Sequence, residues 1–247
     1  CWAFAIHQGH ELHPDFLPYM LLNDQARLRE EDPYTDLIAT LPISMLKVET
    51  SRFQVDLNRA ASEAIYLKPE QAWGLSVWDS KFAELNVKAL RQADENMHQQ
   101  FELRIQQTID CFGYFFLYDV HSYNCKRLGP QESVNNEDNP QINLGTYYNN
   151  AKWRPLLNKL RTQMQSLQLQ EQQIDVRENI KFKGGYMAQR LLQKFGHKGC
   201  IVSVEFRKDF MDEWTGQANF KAVENCRQLL QETLPSLDSY FSESYGK

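Results

Sequence analysis

Two stretches of this chain leave little freedom in how it folds. YFFLYDV (114–120) and GCIVSVEF (199–206) are nearly continuous apolar runs of strand length. A strand without polar alternation is covered on both faces, which happens where helices pack on either side of a largely parallel sheet. The chain supplies those helices. From Lys81 to Phe112 the apolar residues Phe82, Leu85, Leu90, Met97, Phe101, Ile105 and Ile109 fall mostly three or four apart, and Gly113 ends the run. That spacing predicts one long amphipathic helix. Trp153, Leu156, Leu157, Leu160, Met164 and Leu167 mark another, and Phe220, Val223, Cys226, Leu229, Leu230 and Leu234 a last one. Shorter helical stretches, 17–28 and 35–41, are split by EEDPY. CWAFAI (1–6) and the alternating RFQVDL (52–57) add two expected strands. Strands and helices in this alternation predict an α/β three-layer sandwich with a mixed, largely parallel sheet, forming one domain over 1–247. The polar stretch 126–150 has no periodicity and is expected to be a long functional or covering loop. The Gln-rich QMQSLQLQEQQ (163–173) is expected to be a solvated helix end with its exit turn.

Composition removes several function classes. The net charge is −5, with no basic patch of the size a duplex requires, so nucleic acid is not an expected partner. The longest apolar run is too short to span a bilayer. Five scattered cysteines, 1, 111, 125, 200 and 226, show no CxxC pair and form an odd set, which predicts reduced thiols in a cytoplasmic protein. The chain opens inside a strand-like run without Met, so residues preceding Cys1 are expected.

Ligands of an open α/β sheet gather at the carboxyl ends of its strands. His7 follows CWAFAI, within HQGHEL. Asn58 and Arg59 follow RFQVDL, with Arg52 seven residues before Arg59. His121 follows YFFLYDV, within DVHSYN, and Glu205 lies near the end of CIVSVEF. Two guanidinium groups and an amide in one place suit an anionic substrate. Two imidazoles and one carboxylate leave a zinc ion an open position for water, and a carboxylate not on the metal can carry the water's proton. Each residue alone has a duller explanation. A His at a strand end is more often structural, and His10, His13, His98 and His197 are placed in that class. Asn58 alone caps turns, and Arg52 alone pairs with Glu49 or Asp56 on a surface. Their joint placement at one sheet edge carries the argument.

The ordered motifs resemble those of the N-formylglutamate amidohydrolase family, related to zinc carboxypeptidases and aspartoacylase. SRFQVDLNR resembles its strand ending in Asp-Leu-Asn-Arg, and DVHSYN its Asp-x-His-Ser segment. NIKFKGGYMAQRLLQKFG resembles its Gly-Gly-Tyr turn and following helix, VSVEFRKDFMDE its Val-Glu strand and Asp-Glu tail, and HQGHELHP its Pro-His-x-Gly opening with Ile6 in place of Pro. The resemblance runs from about residue 3 to 214. It implies a zinc-carboxypeptidase-like fold and one zinc ion per chain. It implies His7 and His121 as metal ligands and Glu205 as general base. Arg52 becomes the electrophilic arginine, and Asn58 and Arg59 the receivers of a substrate carboxylate. Tyr186, the long loop after DVHSYN and DEWTG are expected to shape the pocket. For the carboxylate ligand Glu11 is favoured, one residue beyond the His-x-x-Glu spacing of zinc carboxypeptidases. Asp36 and Asp32, in EEDPYTD, are its rivals. The implied activity is hydrolysis of an N-acyl amino acid such as N-formylglutamate. A metallopeptidase of carboxypeptidase or γ-glutamyl type acting on a short peptide, and a non-catalytic binding protein on the same scaffold, are the alternatives. Oligomeric state is left open.

Overall fold

Burial on both faces is what the central strands show. The computed structural model describes residues 1–169 and 172–245, and every side chain in them except those of 83–86, 168–169, 172 and 244–245. Six strands form one sheet: β1 (Trp2–Ala5), β2 (Ser44–Lys47), β3 (Phe115–Tyr123), β4 (Ile142–Gly145), β7 (Val176–Glu178) and β8 (Gly199–Arg207). Their order is β2-β1-β3-β8-β4-β7. All neighbouring pairs are parallel except β4 with β8, so the sheet is mixed and largely parallel. The remaining strands, β5 (Gln168–Leu169) and β6 (Gln172–Gln173), form a separate antiparallel pair.

Helices cover both faces. α2 (Thr35–Ile38), α4 (Arg154–Ser166), α6 (Phe220–Gln231) and α7 (Leu234–Tyr245) share a core with Phe116, Tyr118 and Val120 of β3 and Val202, Val204 and Phe206 of β8. On the opposite face α3 (Ser80–Phe112) and α5 (Tyr186–Phe195) pack Phe101, Ile105, Met187 and Leu191 against Phe4, Phe115, Leu117 and Ile201. Each fully buried aliphatic or aromatic side chain there is worth about 1.5–3 kcal/mol. The remaining helix, α1 (Asp24–Glu30), starts at an Asn23 cap whose side chain accepts from Ala26 N–H. A smaller cluster, with Phe53, Tyr66, Trp78 and Phe82, gathers beyond the sheet's end.

Side chains on a strand alternate between faces. Asp119 and His121 therefore continue the α3/α5 face of β3 beyond Phe115 and Leu117, and Ser203 and Glu205 continue that face of β8 beyond Ile201. The register sets His121 beside Glu205 and Asp119 beside Ser203. One sheet face thus changes from apolar to ionisable along its length.

Several local expectations are corrected. RFQVDL is a series of turns, and the second parallel edge strand is Ser44–Lys47. Turn chemistry prevails over alternation: Ser51 accepts Phe53 N–H at 3.2 Å and Asp56 accepts Asn58 N–H at 2.8 Å. The stretch 126–150 is not one loop, because it contains β4. That short strand holds a buried Asn143, whose amide binds the backbone of Ile180, Lys181 and Phe182. The region 17–28 divides into a 3-10 helix, Pro14–Tyr19, and α1. The Gln-rich stretch holds the end of α4 and the β5–β6 pair, with 170 and 171 outside the described residues. In α3, Met97 is exposed and the buried stripe runs through Leu90, Asp94, His98, Phe101 and Ile105; Leu85 lies outside the described side chains. All five cysteines are free thiols. Among the described residues no helix is long and apolar enough to cross a membrane.

Arg190 of α5 ties down α3 by two hydrogen bonds to Glu95, at 2.6 and 2.8 Å, and one to Glu102 at 2.6 Å. The Arg190 bonds hold the Glu95 carboxyl down from 4.5 to about 2. A depressed carboxyl contributes stability above its unfolded pKa and loses it as pH falls through the folded one. Arg190→Met should therefore lower the melting temperature at neutral pH by about 2 °C, a small effect because the pair is partly exposed. The gap from the parent should close as pH drops from 4.5 toward about 2 in melts followed by circular dichroism.

Candidate active site

The ionisable end of the sheet faces a cavity of about 380 Å³ lined by His7, Asp32, Arg52, Asn58, Arg59, His121, Gly185 and Glu205, among others. His7 lies just beyond β1 and His121 is on β3, the neighbouring strand. Their ring centroids are 4.9 Å apart, so the two imidazoles that lie 114 positions apart in the sequence meet. Both are buried.

A third group joins them, and it is Asp32. Its Oδ2 lies 3.1 Å from His121 Nδ1 and 3.5 Å from His7 Nδ1. One donor atom from each of His7, Asp32 and His121 falls within 4.8 Å of the other two. Asp32 follows α1, and its backbone N–H donates to His7 O at 2.9 Å, which fastens the segment across the end of β1. Glu11 is not in this cluster. Its side chain is exposed, and its backbone is bridged to Thr50 and to Glu49 O, so it runs along the chain rather than over the site. Asp36 is turned toward Lys47, 4.0 Å away. Gly9 follows from the same crossing, since a Cβ there would run into the backbone of Val48 and Glu49.

The far nitrogen of each imidazole is also held. His7 Nε2 donates to Asp56 Oδ1 at 2.7 Å, and His121 Nε2 donates to Asp119 Oδ1 at 2.8 Å. Each ring is thereby oriented with Nδ1 toward Asp32, in the arrangement that second carboxylates give to metal-binding histidines. Asp119 is steadied in turn by Ser203, at 2.9 Å. Asp56 receives Arg52 Nη2 at 2.7 Å and the Tyr66 hydroxyl. Burial raises the Asp32 carboxyl, but hydrogen bonds from His121 and His7 outweigh it and hold the group well below the usual range. Burial likewise opposes the charged form of His121, and Asp119 outweighs it, so His121 is raised.

Glu205 differs from these carboxylates. Burial pushes it up to about 8, with Asp32 and Asp119 adding to the rise and His121 opposing it. It lines the cavity beside His121 in the strand register. Arg52 and Arg59 stand at the wall; Arg52 also donates to Tyr66 at 3.2 Å, and Arg59 lies over the Tyr66 ring at 4.7 Å. Trp73, with a left-handed φ of +54°, stands 5.1 Å from the Arg52 guanidinium and 5.2 Å from that of Arg127. Arg127, Lys181, Lys183 and Lys208 complete a cationic lining. Burial lowers Lys208 to about 8, and its ammonium donates to Arg29 O at 2.6 Å and Glu31 O at 2.7 Å, just before Asp32 in the chain.

Asn58 does more than face the cavity. Its backbone O and its Oδ1 accept the N–H groups of Tyr186 and Met187, each at 3.2 Å, which caps α5. Its Nδ2 is left toward His121, at 3.4 Å. Gly185 has to be glycine because a Cβ would collide with that amide. Tyr186 turns its ring edge-on to His98 of α3, 5.4 Å away, while Gly184 and Gly185 line the cavity. DEWTG braces the loop after β3: Glu213 accepts the N–H groups of Cys125 and Lys126, and Trp214 stacks on Arg29 at 3.7 Å. The other histidines are bound elsewhere, His10 to Glu31 at 2.5 Å and His98 beside Asp94 at 3.5 Å.

Sequence reasoning missed Asp56 and Asp119 as orienting groups. The period-two rule had the signal for Asp119, two residues before His121 on the same face. Removing either carboxylate should weaken divalent-metal binding. Asp119→Asn and Asp56→Asn are each expected to lose about 10–100-fold in zinc affinity, measured by competition with a chromophoric chelator; unchanged affinity would mean that they only pack.

The chain matches the family model for N-formylglutamate amidohydrolase over residues 4–211. Similar solved structures include N-formylglutamate amidohydrolase from Ralstonia eutropha JMP134, with a TM-score of 0.68 and 13% identity over 98% of this chain and 94% of that one. Another is a gene product from Agrobacterium tumefaciens, with a TM-score of 0.64 and 16% identity over 96% of this chain and 90% of that one. At these identities the structural likeness speaks for the fold. No curated protein matches the chain.

Proposed function

The chain belongs to the N-formylglutamate amidohydrolase family, and from that premise we propose that it is a zinc-dependent hydrolase of an N-acyl amino acid such as N-formylglutamate. The observation that carries this reading is the meeting of His7, Asp32 and His121 donor atoms within 4.8 Å, beside Glu205 and under a cationic wall. Two imidazole nitrogens and one carboxylate oxygen fit a borderline divalent ion with an open position. Both imidazoles have their second nitrogen anchored, so the donor set is already aimed.

When bound, such an ion supplies Lewis acidity, making a water acidic enough to act near neutral pH and polarising an acyl carbonyl. The chain's own residues do the rest. Asp32 takes the third ligand place that the sequence reading had favoured for Glu11. Glu205, which lines the cavity beside His121, accepts the water's proton and returns it to the leaving amine. Arg52, fixed by Asp56 and Tyr66, directs its charge at the oxyanion that develops. Arg59 offers a planar fork to the substrate carboxylate, and Asn58 Nδ2 adds a donor. Lys181, Lys183 and Arg127 favour an anionic substrate at the mouth.

Two substitutions separate these roles. Glu205→Gln should retain stoichiometric zinc and lose about 10²–10⁴-fold in kcat on the N-acyl amino acid; near-normal turnover with zinc in place would remove Glu205 from proton transfer. Arg59→Ala should raise KM about 10–100-fold with a smaller change in kcat, as expected for loss of a charged contact. A lowered melting temperature with an unchanged KM would make Arg59 structural.

A further inference from the structure

Tyr66 occupies a place that neither proton transfer nor ion binding explains. It is fully buried, and its ring meets Phe53 edge-on at 5.7 Å. Its hydroxyl donates to Asp56 Oδ2, and Arg52 Nε donates to that hydroxyl at 3.2 Å. Its ring face carries the Arg59 guanidinium at 4.7 Å. One side chain therefore touches both arginines of the wall and the carboxylate between them.

The oxygens of Asp56 are heavily subscribed. Oδ1 accepts from His7 Nε2 at 2.7 Å and from Asn58 N–H at 2.8 Å. Oδ2 accepts from Arg52 Nη2 at 2.7 Å and from Tyr66. Arg59 Nε stands at 3.6 Å from the same Oδ2, an ion pair outside hydrogen-bond reach, and among the described residues the Arg59 side chain makes no hydrogen bond. A buried carboxylate three residues before an arginine would ordinarily draw that arginine past ion-pair distance into a direct hydrogen bond. Here the phenol fills the acceptor site instead, while its π-face gives the guanidinium a resting surface that does not consume its N–H groups.

We infer that Tyr66 is a positioning residue that keeps Arg59 from hydrogen-bonding to Asp56 and leaves its N–H groups free for the carboxylate of the substrate. This rests on the reading of Arg59 proposed above. Without the hydroxyl, Oδ2 gains a vacant lone pair, Arg59 closes the gap to it, and the fork is withdrawn from the cavity. The His7 bond is on the other oxygen, so ion binding is not the function affected.

The test is a ratio taken within each variant: kcat/KM for an N-formyl amino acid divided by that for its carboxamide analogue. The ratio measures recognition of the carboxylate and cancels partial losses of active protein. The parent enzyme should prefer the acid strongly. Tyr66→Phe should reduce the ratio about tenfold, the worth of one charged contact, chiefly through KM on the acid. Zinc content should stay stoichiometric. In an Arg59→Ala background the Tyr66→Phe change should leave the ratio unmoved, because the two act through one contact. Should the Phe variant not fold, Tyr66→Met, which lacks both the hydroxyl and the ring face, should reduce the ratio at least as much. A parental ratio in folded Tyr66→Phe, or additive effects in the double variant, overturns the inference. If Arg59→Ala itself keeps the parental ratio, the failure lies with the assignment of Arg59, and Tyr66 has no anion to serve.

Discussion

The site depends on one carboxylate shared by two imidazoles. Asp32 lies between His7 and His121, and each ring is held from behind by another buried carboxylate, Asp56 or Asp119. Burying three acids around two histidines is unfavourable unless every charge is met. The surroundings meet them. Arg52 and Tyr66 bind Asp56, Ser203 binds Asp119, and His121 Nδ1 stands 3.1 Å from Asp32 Oδ2. One donor atom from each of His7, Asp32 and His121 nevertheless lies close enough to the other two to share a divalent ion. The same crowding separates Glu205 from its neighbours: surrounded by acids and little solvent, it is the carboxyl that retains a proton most readily.

The sheet explains why these groups are together. Parallel strands β1, β3 and β8 lie side by side, so their carboxyl ends present His7, His121 and Glu205 along one edge. On the α3/α5 face the early strand residues are apolar and meet helices, while the later ones are ionisable and meet the cavity. The start of α5 marks the boundary, and Asn58 fastens it there. Folding and site formation are linked through that residue, since its backbone and amide serve the helix while Nδ2 is directed at the cavity.

Much of this is legible in the sequence. The two apolar runs, the long amphipathic helix and the placement of His7, His121 and Glu205 follow from periodicity and strand ends. Other parts were hidden for physical reasons. RFQVDL alternates like a strand, yet Ser51 and Asp56 hydrogen-bond to nearby N–H groups and make turns. INLG is too short, and Asn143 too polar, to announce a buried strand within a polar stretch. Asp32 rather than Glu11 reaches the histidines because a main-chain bond from Asp32 to His7 folds the segment after α1 across the strand end. That contact spans two elements, and nothing in the local spacing of either reports it. Tyr66 was silent for the same reason.

β4 runs against β8, with Ile142 opposite Phe206 and Gly145 opposite Ser203. The chain leaving β3 consequently re-enters the sheet at the same edge, with no crossover helix to the far side. Residues 124–141 bring Asn124 and Arg127 to the cavity and are anchored at Asn136 and Asn139 by Arg207. That excursion supplies wall to the cavity, while Glu205 is held from below by the pairing of β8 with β3 and β4. The opening is thus walled by a segment outside the ladder, while the machinery below is held by strand register.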